Sequence, residues 1–393
     1  MELLIYLILF LLVLIVSSTT NKLLPFLPLP LVQILLGIVI GLFLPNTDFH
    51  LNTELFLALV IGPLLFRESE EADITAILKH WRIIVYLIFP VIFISTLSLG
   101  GLAHLLWFSI PLAACLAVGA ALGPTDLVAF ASLSERFSFP KRVSNILKGE
   151  GLLNDASGLV AFQVALTAWT TGAFSLGQAS SSLIFSILGG FLIGFLTAMT
   201  NRFLHSFLLS VRATDIASEL LLELSLPLVT FFLAEEVHVS GIIAVVVAGI
   251  LKASRFKKIT LLEAQVDTVT ETVWHTVNFM LNGSVFVILG MELEMIAEPI
   301  LTNPIYNPLL LLVSLVALTF VLFAIRFVMI YGYYAYRTRR LKKKLNKYMK
   351  DMLLLTISGV KGTVSIATIL LIPSNLEQEY PILLFLVAGV TLV

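Results

Sequence analysis

The chain has 393 residues but one cysteine, and only 12% of it is charged, about half the share found in water-soluble domains. A single thiol excludes an intrachain disulfide. Cys115 sits in an apolar run, where a free cysteine behaves as a small hydrophobe. No Pro-, Ser- or Gly-rich linker marks off a soluble domain. The Walker phosphate loop, the Cys/His spacings of zinc sites and the Rossmann glycine fingerprint are all missing. ATP, metal catalysis and dinucleotides are therefore not implied, and no cofactor is expected. The net charge of −1 says nothing about partners, and nucleic acid is not expected among them.

Apolar sequence is what the chain has in plenty. Hydrophobic residues make up 59% of it, and runs of about 20, enough to cross a bilayer, recur from end to end. The opening "MELLIYLILFLLVLIVSS" lacks a basic leader and a small-residue cleavage site, so it reads as a retained span. Candidate spans fall near 2–19, 29–45, 52–66, 83–103, 111–133, 143–168, 180–200, 216–234, 239–251, 272–291, 307–333, 352–372 and 381–393. The last reaches only about 20 Å at 1.5 Å per residue. Hydrocarbon is about 30 Å thick, so this span is expected to be incomplete.

All but two of the 24 Lys and Arg lie in or beside the odd-numbered loops between these spans, and the even-numbered loops hold none. Cytoplasmic loops are the ones enriched in Lys and Arg. The expected protein is therefore multi-pass in the cell membrane, with its amino terminus outside and its basic loops and carboxyl terminus cytoplasmic. The run "RTRRLKKKLNKYMK" fixes this topology and touches anionic lipid.

The two unplaced bases, Arg326 and Lys361, fall within spans, as do Asp126, Glu150 and Asp155. Charge at that depth is costly and marks ion paths or internal pairs. Arg136 follows Asp126 by about 15 Å of helix and Lys148 precedes Asp155 by about 10 Å, which places both aspartates near mid-membrane. For Arg326, a tyrosine-rich boundary soon afterwards keeps open the alternative that it snorkels to the interface.

Span five contains "GPTD", 123–126, where Pro124 should break the helix and free carbonyls for a cation. Span twelve has "SGVKGT", 358–363, with glycines flanking Lys361. The two breaks occupy the fifth place of two six-span sets that run in opposite senses, the pattern of an inverted-repeat transporter. The expected fold is an all-α polytopic membrane protein with about thirteen transmembrane helices. Residues 1–170 form the first repeat, 171–215 the linking span and 216–393 the second repeat, with the broken helices crossing at the ion site.

"GPTDLVA" followed by "GEGLLNDASGLV", with "SGVKGTVSIA" and "GPLLF" elsewhere, resembles the monovalent cation/proton antiporters of the NhaP-type sodium/proton exchanger branch. The resemblance implies a dimer that exchanges Na⁺, and Li⁺ with it, for H⁺. It implies that Asp155 and Asp126 bind the cation, with the Thr125 carbonyl nearby. Asn154 would mark electroneutral exchange, and Glu150 would form a buried ion pair with the basic residue of span twelve, here Lys361. Three positions depart from the family pattern: Gly151 replaces a serine, Arg67 a carboxylate and Lys361 an arginine. The first two leave the coordination shell and the preferred ion open; the third keeps the charge but loses the bidentate fork that an arginine offers a carboxylate.

One carboxylate can hold a proton or a monovalent cation but hardly both, because bare charge is disfavoured in low dielectric. That competition yields exchange when the loaded site alternates between faces. The metal set that the resemblance implies is Thr125, Asp126, Asn154 and Asp155, with Na⁺ and H⁺ as transported substrates. Two rivals do worse. An intramembrane aspartyl protease would carry a Gly-x-Gly-Asp motif, which is absent, and a channel needs rings of carbonyls or charge along a pore. A K⁺/H⁺ antiporter of the same fold is the alternative that remains.

Overall fold

The computed structural model describes residues 2–24, 27–43, 53–125, 139–172, 176–211, 215–253, 261–302, 307–340, 345–359, 361–372 and 380–392. Among them it forms fourteen helices and no strands. In order these are α1 (Glu2–Leu23), α2 (Leu29–Phe43), α3 (53–70), α4 (74–106), α5 (Leu112–Ala121), α6 (Lys141–Thr171), α7 (Leu176–Ser210), α8 (Ile216–Glu236), α9 (Gly241–Ala253), α10 (Leu261–Thr302), α11 (Pro308–Arg340), α12 (Met349–Ile357), α13 (Thr363–Ile369) and α14 (Tyr380–Leu392). Among the described residues, five stretches are long and apolar enough to cross a membrane on their own: 77–106, 185–210, 216–236, 268–294 and 308–340. The all-helical membrane fold expected above is present.

Proline shapes two of the long helices. In α4, Pro90 cannot donate a backbone hydrogen bond, and a π-helical turn at Leu87–Val91 absorbs the defect. In α3 a similar turn at Leu57–Ile61 precedes Pro63, which sits at the start of the α-helical stretch Gly62–Glu70. The start of α8 is fixed by chemistry. Asp215 accepts from the Ser218 backbone N–H at 2.8 Å while its own N–H donates to the Ser218 hydroxyl at 3.2 Å. The Ser218 hydroxyl and then its backbone N–H hold the Asp215 carboxyl below its ordinary range, so the cap persists above the usual aspartate titration and is lost as acid protonates the folded form.

The chain divides into two compact units, each drawn from separated stretches. The first comprises residues 1–50, 79–173 and 283–393, and contains both interrupted segments. The second comprises 51–78 and 174–282. Compact units and symmetry repeats are different divisions of a chain, so these boundaries do not bear on the expected repeats.

In the second unit, charge expected at span ends is turned inward. The Lys252 ammonium, on the last turn of α9, lies 3.2 Å from Glu70 of α3 and 2.9 Å from Glu223 of α8. Glu223 also accepts from the Trp274 indole at 3.1 Å, and Arg67 pairs with Glu70 at 3.0 Å while stacking on that indole. Lys252 is one of the bases in or beside the odd-numbered loops, and its side chain is only 9% exposed. Sequence position places each group near a helix end but not which ends meet.

Candidate functional site

Five helices (α5, α6, α11, α12 and α13) and two breaks build the site, all in the first unit. Helix α6 begins after Pro140 and ends at Gly172 in the left-handed conformation (φ 65°), an ending that suits glycine. It carries Glu150, Asn154 and Asp155 on one continuous helix, so their spacing is set by the α-helical repeat. Helix α5 stops at Ala121, and the chain runs through Gly123 and Pro124 to Thr125 without helical structure. Helix α12 stops at Ile357 and α13 starts at Thr363, and the described residues between them (358, 359, 361 and 362) are non-helical, as expected for "SGVKGT".

The two breaks meet. Lys361 of the second donates from Nζ to the carbonyl oxygens of Gly123 at 2.8 Å and Pro124 at 2.6 Å. An ammonium there answers the carbonyls left open at the end of α5 and favours the negative end of its dipole. Beside it, Asn154 Nδ2 donates to the Thr125 hydroxyl at 3.1 Å. Asn154 is fully buried, Thr125 is 4% exposed, and Asn154 Oδ1 has no hydrogen-bond partner among the described residues. An orphaned amide oxygen costs free energy unless something electropositive faces it. α6 comes close enough for this because of Gly158, where a Cβ would fall 2.7 Å from Pro124 Cδ.

Glu150 is fully buried and does form an ion pair, but its partner is Arg326 of α11, not Lys361. Both guanidinium nitrogens engage: NH1 to Oε1 at 2.6 Å and NH2 to Oε2 at 2.8 Å. The third donor, Nε, caps the Leu355 carbonyl of α12 at 2.9 Å. Arg326 therefore does not snorkel; it is 4% exposed and ties together three helices. The correction has a physical reason. A planar fork matches a carboxylate in a bidentate way, whereas a compact ammonium matches converging carbonyls. Gly359 makes room for the arginine, since a Cβ there would lie 2.8 Å from Arg326 Cδ.

Of the remaining expected residues, Asp126 lies outside the described residues. For Asp155 the backbone is described, one residue beyond Asn154 in α6, and the side chain is not. Among the described residues no cluster of three His, Cys, Asp or Glu could hold a metal ion.

The new position of Lys361 changes what its removal should do. Lys361→Ala would uncover the Gly123 and Pro124 carbonyls, each losing a hydrogen bond to a charged donor that contributes about 1.5–3 kcal/mol. We expect a lower melting temperature and a partial loss of function, while the Glu150–Arg326 pair stays intact. Lys361→Arg should retain part of both. Thermal unfolding of the purified variants checks this, and a melting temperature for Lys361→Ala equal to wild type would contradict it.

A family model described as the transmembrane sodium/hydrogen exchanger matches residues 7–393. Among curated proteins, a Bacillus subtilis protein named sodium, potassium, lithium and rubidium/H⁺ antiporter is 35% identical over 96% of this chain and 57% of its own. Its namesake from Bacillus pumilus is 34% identical over 98% of this chain and 59% of its own. The chain thus spans under two thirds of the length of these relatives. Among solved structures, the sodium proton antiporter MjNhaP1 of Methanocaldococcus jannaschii aligns over 100% of this chain and 95% of its own, with TM-score 0.72 and 18% identity. At that identity the likeness concerns the fold.

Proposed function

This chain belongs to the sodium/hydrogen exchanger family, and from that premise we propose that it is a secondary-active antiporter exchanging a monovalent cation for a proton by alternating access. The observation that carries the proposal is the unpartnered Asn154 oxygen, buried beside Thr125 where the two breaks meet. It offers an uncharged ligand to a cation next to the helix position of Asp155. Asp155 binds the cation or a proton in alternation, with Asp126 sharing the load. Thr125, held by the Asn154 amide, sets one wall of the site. Lys361 keeps the Gly123 and Pro124 carbonyls occupied. Glu150 and Arg326 neutralise one another and stay out of the exchange. The protein works in the cell membrane as a homodimer, with its basic loops cytoplasmic, and serves ion and pH balance. Repeats at 1–170 and 216–393, linked by 171–215, account for two breaks that meet from opposite halves of the chain.

Na⁺ and Li⁺ are the first substrates of this reading. K⁺ is the second reading, favoured because two relatives carry potassium in their names. The deciding experiment reconstitutes the purified protein into liposomes and presents Na⁺, Li⁺, K⁺ and Rb⁺ separately against a preset pH gradient. Proton movement with none of them would refute the antiport proposal.

Charge stoichiometry follows from Asn154, which is neutral in both states. With one proton released per cation at Asp155, exchange moves no net charge. Two nearby carboxylates can titrate as a coupled pair, but Asp126 stays ionised through the cycle if the broken backbone keeps it hydrated. We expect cation-driven proton flux to be indifferent to an imposed potential. Thiocyanate gradients should set that potential, because potassium is itself a candidate substrate. A steep voltage dependence would show that both aspartates exchange protons.

A further inference from the structure

Arg142 has no part in the exchange chemistry, yet its side chain, 29% exposed, is engaged by three others. It lies in the first turn of α6, with its guanidinium against a touching pair of rings, 5.5 Å from that of Tyr334 and 5.1 Å from that of Tyr348, which are 5.4 Å from one another. One nitrogen donates to the Tyr334 hydroxyl at 3.3 Å and the other lies 3.5 Å from Asp351. Tyr334 belongs to α11, Tyr348 to the short 3-10 turn before α12, and Asp351 to α12 itself. These are the helices that Arg326 joins to α6 further along.

The two fasteners are in register. Arg142 and Glu150 are eight residues apart on α6, and Arg326 and Tyr334 are eight apart on α11, about 12 Å along each antiparallel helix. α6 also packs along α5; against α11 and α12, one fastener sets a point of α6 and two set its direction. If Glu150–Arg326 is the pivot, Arg142 acts on an arm of about 12 Å and Asn154 on one of about 6 Å on the other side. Releasing Arg142 by 1–2 Å would then swing Asn154 against Thr125 by about half that. A misplacement of about 1 Å is enough to impair a site built on fixed geometry.

We infer that Arg142 is a positioning residue for the ion site: its aromatic and carboxylate clamp holds α6 at the angle that keeps Asn154, and with it Asp155, opposite the break of span five. This rests on the exchange reading above, and it predicts a graded loss of cation affinity with little loss of turnover.

The test compares wild type, Arg142→Lys, Arg142→Gln and Tyr348→Leu in proteoliposomes, reading proton flux against Na⁺ concentration. Half-saturation is expected to rise about five- to tenfold in Arg142→Gln and about two- to threefold in Arg142→Lys and Tyr348→Leu, with maximal rates within about twofold of wild type. Deuterium uptake on the same preparations reads the lever without transport. Uptake over 151–158 should rise in Arg142→Gln and in Tyr348→Leu, so the inference survives a failure of Arg142→Gln to fold. Unchanged uptake there, or unchanged half-saturation in all folded variants, overturns it even if melting temperatures fall. A wild type silent for every cation would count against the exchange reading alone, and the uptake result would still decide the role of Arg142.

Discussion

Replacing Asp155 by asparagine should reduce cation-driven proton movement to the level of empty liposomes. The chemistry leaves little room for a partial effect. Exchange needs one group that holds a proton in one half-cycle and a cation in the other, and an amide, though its oxygen can face a cation, takes up no proton at neutral pH. Asn154 precedes it and is already an amide, buried and donating to Thr125, so the variant would place two neutral groups side by side with no titrating one. Asp126→Asn should abolish or greatly weaken exchange by removing the second carboxylate. Neither change adds volume or charge, so membrane insertion and melting temperature should stay near wild type. Proteoliposomes with matched protein content give the measurement. Full exchange by either purified variant would sink the assignment of that aspartate.

Much of this site could be read from the sequence because backbone defects announce themselves in residue type. Pro124 and the glycines at 359 and 362 mark positions where a helix cannot continue, and α5 and α12 end just before them. Intramembrane charge was equally visible, since so little of it competes for attention. What could not be read was pairing. Arg326 lies eleven residues before Arg337, and Lys361 eleven after Lys350, so depth alone places both bases level with one another and cannot choose a partner for Glu150. The resemblance chose Lys361, because the basic residue of span twelve is the expected partner. The choice belongs to the crossing of α6 and α11, whose antiparallel register brings 150 to 326 and 142 to 334. One local signal was available: the arginine is the base with a fork that fits a carboxylate. The Lys252 cluster illustrates the same limit. Its five side chains come from four helices, and each alone reads as an ordinary end-of-span residue.

Breaking the Glu150–Arg326 pair should have the largest effect on stability of any single change. Both side chains are almost wholly buried, at 1% and 5% exposure. Removing one partner strands the other's charge in low dielectric, a cost of about 3–5 kcal/mol in buried pairs. Arg326→Met is expected to be worse than Glu150→Gln, because it also uncovers the Leu355 carbonyl at the end of α12. Arg326→Lys keeps the charge but can no longer serve both carboxylate oxygens and that carbonyl in a plane, so it should fall between wild type and Arg326→Met. The double variant Glu150→Gln with Arg326→Met leaves no stranded charge. It should recover part of the melting temperature lost by either single change, since ion pairs replaced by neutral groups of similar volume are often tolerated. Recovered stability need not bring recovered transport, because α6 would lose the pivot that sets Asn154 against Thr125. Thermal unfolding and exchange measured on the same four variants separate the two effects. Single variants as stable as wild type would show that this pair does not hold α6 in place.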